Sequence, residues 1–249
     1  MIEWNEYWQK YSTSKAEKWL ILERDKIINY YLDRIVGTKK VIEVGCGYGT
    51  NSRLIMHNRK DVESYALDNS IVAIKRVKED IRFSFCADCC YTPFTDNKFD
   101  VIFSSGLMEH FKDESAFLSE MDRILKDSGY LITFVPAKYS LWQVYRLLHF
   151  NKWQHGYEKS YSYEQLEDIF VQHRFNVLKI IGIDPFSING LIMKLLNISF
   201  PAGATAEAGQ AGLEFIPEGI RGLRSNSPII RQSFFRSGYT ELCVIAKKV

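Results

Sequence analysis

The sequence predicts an α/β protein whose doubly wound, mostly parallel sheet carries helices on both faces. Three observations predict this fold. Short runs of β-branched and aromatic residues alternate along the chain with helical segments, as they do in βαβ units. The 249 residues, 46% of them hydrophobic, provide enough material for one large buried core. A glycine-rich turn also joins the first strand to the next helix, where sheets of this kind bind ligands.

Residues 1–36 are predicted to form an N-terminal helical lid. The apolar residues of segment 15–36 recur at close to helical spacing, which indicates a helix before the first strand. They are Trp19, Leu22, Ile27, Tyr31 and Ile35. Gly37 follows at a position where glycine favours the end of a helix.

Strands and helices alternate over residues 37–136, the predicted core. The predicted strands are "KKVIEV", "VESYAL", "IRFSFC", "FDVIFS" and "YLITFV". Predicted helices cover 50–57, 70–80 and 113–126. A "DSG" turn at 127–129 precedes the fifth strand, and Pro136 ends that strand.

The remaining residues are predicted to complete the sheet around an insertion. Segment 137–182 forms an aromatic helical cap and a sixth strand, and Ser162 with Gln165 could begin its helix as a capping box. Segment 183–237 is much longer than an ordinary connection, so we expect it to be an insertion. Residues 238–249 contain the last strand, "YTELCVIAKK", and the whole chain is expected to be one domain.

Charge, apolar segments and cysteine usage narrow the class of protein. The net charge of +2 is too mild to argue for nucleic acid, so composition leaves the partner open. The N-terminus has no signal peptide and no later window is apolar enough to span a membrane, so we expect a cytoplasmic protein. No disulfide is expected. Cys86, Cys89 and Cys90 lack the partners of a tetrahedral site, so no bound metal is expected either.

The glycine turn after the first strand predicts a nucleotide-like ligand. Gly45, Gly47 and Gly49 leave the backbone bare, which suits a dinucleotide or another adenosyl molecule. Thr50 stands where a dinucleotide fingerprint would have its third glycine. The carboxylate of Glu43 would repel a pyrophosphate and attract an ammonium or sulfonium group. A cationic ligand is therefore favoured.

Two further carboxylates follow the second and third strands. Asp68 is placed where a carboxylate can accept hydrogen bonds from both ribose hydroxyls, and Asp88 is placed beside an adenine amino group. Because parallel strands end at one edge of the sheet, these carboxylates and Glu43 should converge on one nucleoside.

Together "EVGCGYG", the "LD" and "AD" strand ends, and "FDVIFSSGLMEHF" resemble the class I S-adenosylmethionine-dependent methyltransferases, most closely their small-molecule branch. The resemblance covers about residues 1–182 and 238–249. It implies a seven-stranded sheet whose last strand is antiparallel. It also implies S-adenosylmethionine as cofactor and S-adenosylhomocysteine as product.

The resemblance further implies which residues surround the cofactor. Asp68 would hold the ribose and Asn69 would lie against the adenine, with Asp88 and Cys89 at its amino group. Other residues would surround the methionine moiety, namely Glu43, Gly45, Cys46, Gly47, Ser104 and Ser105. Tyr11, in "WNEYWQKY", is reminiscent of the tyrosine with which the family's first helix reaches the cofactor carboxylate.

Several residues are candidates for the acceptor side. His110 could remove a proton from the acceptor, or it could simply pack against the following helix. Five aromatic or imidazole side chains could orient the acceptor or only build the cap, namely Trp142, Tyr145, His155, Tyr157 and Tyr161. A membrane-surface encounter is left open by an apolar helix at 188–198 and four arginines, Arg221, Arg224, Arg231 and Arg236.

The predicted function is transfer of a methyl group to oxygen, nitrogen or carbon of a small molecule by in-line displacement at sulfur. Nucleic-acid substrates are disfavoured, because "SSGL" replaces the N/D-P-P-aromatic motif of methyltransferases that act on exocyclic base amines. A monomer or a homodimer is expected. Two alternatives are kept: a non-catalytic protein that binds the adenosyl cofactor, and an NAD(P)-dependent oxidoreductase, which Thr50 and Glu43 disfavour.

Overall fold

The computed structural model describes residues 3–11, 15–138, 157–183 and 241–249, together with Ser140 and Gln143. All of these residues belong to one unit, within 1–185 and 239–249. The predicted insertion, its apolar helix and four arginines lie outside the described residues, as do Trp142, Tyr145 and His155. No described helix combines the length and the apolar character needed to cross a bilayer.

The described residues form six α-helices, one short 3₁₀-helix and seven strands. In chain order they are α1 (Trp4–Lys10), α2 (Lys15–Leu32), β1 (Lys39–Val44), α3 (Thr50–Asn58), β2 (Val62–Asp68), α4 (Ile71–Val77), β3 (Phe83–Cys86), β4 (Phe99–Ser105), the 3₁₀-helix (Met108–His110), α5 (Ser115–Ile124), β5 (Leu125–Pro136), α6 (Tyr163–Gln172), β6 (Phe175–Ile183) and β7 (Glu241–Lys248).

The strands form one sheet in the order β3-β2-β1-β4-β5-β7-β6. Strands β1 to β5 pair in parallel, and β7 runs antiparallel to both β5 and β6. The predicted seven-stranded sheet with an antiparallel last strand is therefore confirmed. The strand order reverses beside β1, so the ends of β1, β2 and β4 meet at the crevice where open sheets of this kind bind ligands.

The alternation of side chains along β1 shows how both faces are covered. Val41 packs in a buried cluster with Ile28 of α2, whereas Ile42 packs in a second cluster with Phe117 of α5. Successive residues of a strand point to opposite faces, so each face receives an apolar layer from its own helices. These two layers fix the sheet edge on which the candidate site lies.

Local boundaries agree with the predictions except near residue 127. The predicted "DSG" turn is wrong, because β5 already begins at Leu125 and these residues form a bulge inside it. Phe99 pairs with Leu125 but Val101 pairs with Tyr130, so the extra residues have no partner on β4. The predicted capping box of α6 is confirmed, with Ser162 and Gln165 bonding each other's backbone N–H groups.

Candidate functional site

The glycine-rich turn, called the glycine loop from here on, covers residues 45–49 and follows β1 at the carboxyl edge of the sheet. Gly45 and Gly47 have φ angles of +68° and +50°, which side chains of L-residues rarely adopt. A methyl group added at Gly45 would lie 2.9 Å from the Leu107 side chain, and one added at Gly47 would overlap the Trp8 indole. The loop therefore needs glycine both for its backbone conformation and for the close approach of its neighbours.

Asp68 connects the end of β2 to this loop. Its Oδ2 accepts a hydrogen bond from the Gly47 N–H at 2.8 Å, and its Oδ1 accepts one from the Ser70 N–H at 2.8 Å. The residue is 6% exposed, and burial raises the pKa of this carboxyl group against the opposing effect of backbone N–H groups of Ser70, Gly47 and Asn69. Each carboxylate oxygen can accept a second hydrogen bond, so Asp68 keeps acceptor capacity for a ligand.

Glu43 lies beneath the loop rather than on its surface. Its Oε2 accepts hydrogen bonds from the backbone N–H and the hydroxyl of Ser52, in the first turn of α3, at 3.1 and 2.5 Å. Burial raises the pKa of Glu43 to about 7, although the Ser52 bonds and the charge of Arg24 lower it. In the structure this carboxylate therefore fixes α3 to β1, and its contact with a cofactor stays a prediction.

The residues after β3 form the exposed rim of the same edge. Asp88 is exposed and its Oδ1 accepts a hydrogen bond from the Cys90 N–H at 2.8 Å, and Asn69 is exposed at the end of β2. Cys89 packs against the main core cluster. Asp88 and Asn69 are thus accessible where the sequence predicted adenine contacts, while the Cys89 side chain is half-buried.

Two other predicted contacts are less accessible. The Cys46 side chain packs in a buried cluster with Ala66 and Ile74, and burial raises the pKa of its thiol. Ser104 is wholly buried and its hydroxyl donates to Thr133 at 3.4 Å, whereas Ser105 is half-buried. Of these two serines, only Ser105 has a partly accessible side chain, and its contact with a cofactor stays a prediction.

Helix α1 covers the glycine loop. The ring of Trp8 lies 5.0 Å, centroid to centroid, from both Tyr48 and Tyr11, and the Tyr48 hydroxyl donates to the Trp8 carbonyl. Asn5 accepts a hydrogen bond from the Ser70 hydroxyl at 2.7 Å. The predicted lid residue Tyr11 is therefore near the loop, but Trp8, which sequence reasoning missed, is the residue that touches Gly47.

His110 ends the 3₁₀-helix after β4. Its Nδ1 lies 2.9 Å from the Tyr157 carbonyl, and its ring lies 5.0 Å from Trp4 in an edge-to-face contact. Burial lowers the pKa of His110, which favours the neutral ring. Tyr157 itself is exposed. The structure thus brings His110 and Tyr157 together, beneath the same helix that covers the glycine loop.

Segment 157–161 is fixed to segment 108–114 by several hydrogen bonds. The Lys159 N–H donates to the Glu109 carbonyl at 2.9 Å, and its ammonium group donates to Glu114 at 2.7 Å. Tyr161 is buried, and its hydroxyl donates to the same Glu114 oxygen at 2.8 Å. Tyr161 therefore supports this part of the site from within the core, and its predicted contact with an acceptor stays untested.

Sequence reasoning missed two acidic residues in this region. Glu109 and Glu158 each place a carboxylate oxygen within 4.8 Å of a ring nitrogen of His110. Glu109 is adjacent to His110 in "LMEHF", which was a usable signal. Nothing in the sequence pattern associates Glu158 with this pair.

Comparisons with known proteins find sequence similarity to a methyltransferase domain in the core of the chain. A family model described as "Methyltransferase domain" matches residues 42–133, from β1 to β5. An uncharacterized protein of Methanocaldococcus jannaschii is 39% identical over 101 residues, which cover 41% of this chain and 42% of that protein. The chloroplastic tocopherol O-methyltransferase of Arabidopsis thaliana is 33% identical over 102 residues, covering 38% of this chain and 29% of that enzyme. The matched segment thus spans less than half of either relative.

Solved structures share the fold over much more of the chain. A SAM-dependent methyltransferase from Archaeoglobus fulgidus has a TM-score of 0.58 at 19% identity, covering 92% of this chain and 94% of that one. Phosphoethanolamine N-methyltransferase 2 of Haemonchus contortus, in complex with S-adenosyl-L-methionine, has a TM-score of 0.60 at 15% identity, covering 100% of this chain and 60% of that one. At identities of 19% and 15%, these comparisons show a shared fold and nothing more specific.

Proposed function

We propose that this protein is a methyltransferase that transfers a methyl group from S-adenosylmethionine to a small-molecule acceptor. The family model over residues 42–133 and the fold shared with solved methyltransferases support this proposal. The methyl group would go to an oxygen, nitrogen or carbon atom. The matched domain contains the glycine loop together with Asp68, Asp88 and His110.

The observation that carries this proposal is the buried carboxylate of Asp68, which holds the Gly47 N–H and keeps acceptor capacity for ribose hydroxyls. The groups at this sheet edge fit an adenosyl sulfonium ligand. The glycine loop beneath Leu107 and Trp8 would lie at its methionine end, Asp88 offers an accessible acceptor to its adenine, and the carboxylates attract positive charge.

The protein's own contribution would be mainly positioning and exclusion of water. When bound, S-adenosylmethionine supplies an electrophilic methyl group on a sulfonium centre. The aromatic side chains of α1, above all Trp8, cover the loop and would keep water from the reacting atoms. Holding the acceptor in line with the methyl group accounts for much of the expected rate, so no universal catalytic residue is required.

His110 stays our predicted general base for acceptors that must lose a proton. A carbonyl oxygen can only accept a hydrogen bond, so the bond to Tyr157 places a proton on Nδ1 of His110. In the neutral ring this leaves the lone pair on Nε2. Single-turnover methyl transfer with saturating cofactor should therefore slow by roughly 10²- to 10⁴-fold in His110→Ala. An unchanged rate would assign His110 a structural role.

Cofactor binding tests the proposal first. S-adenosylmethionine and S-adenosylhomocysteine should raise the thermal midpoint of the protein, and NAD should not. Stabilisation by NAD alone would overturn the proposal in favour of an oxidoreductase. Incubation with labelled S-adenosylmethionine and fractionated cell extract then tests catalysis. Cofactor binding without methyl transfer to any fraction would favour the non-catalytic alternative.

The cellular location, the oligomeric state and the possible membrane-surface encounter stay predictions. Gel filtration with light scattering distinguishes the expected monomer or homodimer. The residues that suggested a membrane encounter lie outside the described part of the chain.

A further inference from the structure

Three side chains with metal-binding atoms converge beside the proposed acceptor side of the site. Glu109 and His110 end the 3₁₀-helix after β4, and Glu158 comes from the segment that packs against it. One ligand atom from each lies within 4.8 Å of the other two. Two ligands at about 2.0–2.4 Å from one ion are at most about 4.8 Å apart, so all three pairs meet the distance limit that a shared ion sets.

The carboxylate of Glu109 independently indicates a missing ligand. Its side chain is only 3% exposed, and its Oε2 has no hydrogen-bond partner among the described residues. A buried carboxylate oxygen without a partner is unfavourable, and pairing with a cation or coordination of a metal removes that penalty. Glu158 and Glu241 place negative charge near Glu109, and Arg24 places positive charge there. The unpartnered, buried oxygen itself is therefore the observation that points to a ligand.

His110 has one ring nitrogen held by the protein itself. Its Nδ1 proton is donated to the Tyr157 carbonyl at 2.9 Å, which restrains the ring and leaves the lone pair on Nε2. Histidines that bind metals usually donate their second ring N–H to a carbonyl or carboxylate in this way. The edge contact with Trp4 further restricts the ring.

Glu158 lines a pocket of about 580 Å³ together with Asp168.

We propose that Glu109, His110 and Glu158 bind one divalent transition-metal ion, such as Mn²⁺ or Zn²⁺. A set of one imidazole and two carboxylates combines the donors that Zn²⁺ and Mn²⁺ accept, whereas Mg²⁺ prefers oxygen ligands alone. Three protein ligands leave coordination positions open. This site departs from the sequence-based expectation of a protein without bound metal.

The ion would lie next to the glycine loop, because Trp4 and Trp8 are one helical turn apart on α1 and contact His110 and Gly47 respectively. The open positions would then suit an acceptor that offers oxygen ligands, an extension that rests on the proposed methyl transfer. A coordinated nitrogen cannot accept a proton, so a bound ion replaces the base role predicted for His110.

Metal binding to the whole purified chain tests the proposal. After dialysis against a chelator, Mn²⁺ is titrated and free Mn²⁺ is followed by electron paramagnetic resonance, and Zn²⁺ is counted by elemental analysis. We expect one ion per chain and at least a tenfold loss of affinity in both Glu109→Gln and Glu158→Gln. Asp168→Asn is the matched control, because Asp168 lines the same pocket outside the cluster, and it should bind as the wild type does.

Two outcomes would overturn the site: no saturable binding of either ion, or equal affinity in the wild type and both glutamine variants. Glu109→Gln changes a buried side chain, so its loss of metal binding counts only if the variant keeps the wild-type thermal midpoint. Glu158→Gln provides a second test at a half-buried position. Calorimetric binding of S-adenosylhomocysteine to the same samples separates the two proposals. Cofactor binding without metal binding would contradict the metal site alone. Metal binding without cofactor binding would contradict the proposed function alone.

Discussion

Replacing Gly47 with alanine tests whether the close contact between the glycine loop and helix α1 forms one surface that the cofactor needs. The φ angle of Gly47 is +50°, and an added Cβ would come within 3.0 Å of three carbons of the Trp8 indole. An L-residue in the left-handed region costs about 1–2 kcal/mol, and alanine returns about 0.4–1 kcal/mol by restricting the unfolded chain. The backbone alone should therefore cost roughly 1 kcal/mol.

The steric effect adds to this backbone cost and is local. Carbon atoms in ordinary contact are about 3.5–4.0 Å apart, so the indole must retreat from the loop. No residue of α1 is buried, so displacement of this helix should change the global free energy of unfolding little. It should instead expose the amides of α1 and disturb the face on which the cofactor would lie.

Gly37→Ala is the matched control. Its φ angle is +84°, and nothing lies within 4 Å of the added Cβ, so it carries the backbone strain without the clash. Urea denaturation should give both variants a similar loss of unfolding free energy. Hydrogen exchange of residues 4–10 should rise only in Gly47→Ala, and calorimetry should show at least tenfold weaker binding of S-adenosylhomocysteine only there. Wild-type exchange and affinity in Gly47→Ala would refute the shared surface.

Three further predictions follow from buried charges. Asp68→Ala should weaken binding of S-adenosylhomocysteine by about 1.5–3 kcal/mol, the scale of hydrogen bonds to a charged group, and unchanged affinity in calorimetry would contradict the ribose placement. Because the pKa of Glu43 is raised to about 7 by burial, the folded state holds an extra proton above the unfolded pKa near 4.5. Its contribution to stability is therefore full below pH 4.5 and is lost as pH rises to about 7, by up to about 1.4 kcal/mol per pH unit. Urea denaturation of Glu43→Gln should show a flatter pH dependence over this window than the wild type, and an identical slope would count against it. Arg24 pairs with Glu241 through two hydrogen bonds of 2.5 and 3.0 Å. Arg24→Met should destabilise the protein in urea by about 3–5 kcal/mol by leaving a buried charge alone, and Arg24→Met combined with Glu241→Gln should recover part of that loss, which a purely additive result would disprove.

Much of the fold could be predicted from the sequence because local signals agreed with the tertiary structure. Strands β1 to β4 and the second half of β5 each contain a short run of apolar residues that marks them in the sequence. The positions of Asp68 and Asp88 at one sheet edge follow from the parallel arrangement alone. The wrong turn at 127–129 has a local cause, since a positive φ of 62° at Ser128 serves a bulge as well as a turn.

The orientation of individual side chains could not be predicted. Glu43 ends a strand, and only the docking of α3 decides that its carboxylate accepts from Ser52. The contact of Trp8 with Gly47 depends on how α1 crosses the loop, which no periodicity encodes. The approach of Glu158 to Glu109 depends in the same way on the pairing of two distant segments.

The place of β7 in the sheet has a consequence for the order of events during synthesis. β7 lies between β5 and β6, yet it is translated after both of them and after residues 184–240. While a ribosome is still making that stretch, β5 remains an open edge and β6 has no partner. Such an edge can pair with another chain, so the nascent protein is exposed to edge-to-edge pairing until residues 241–248 emerge.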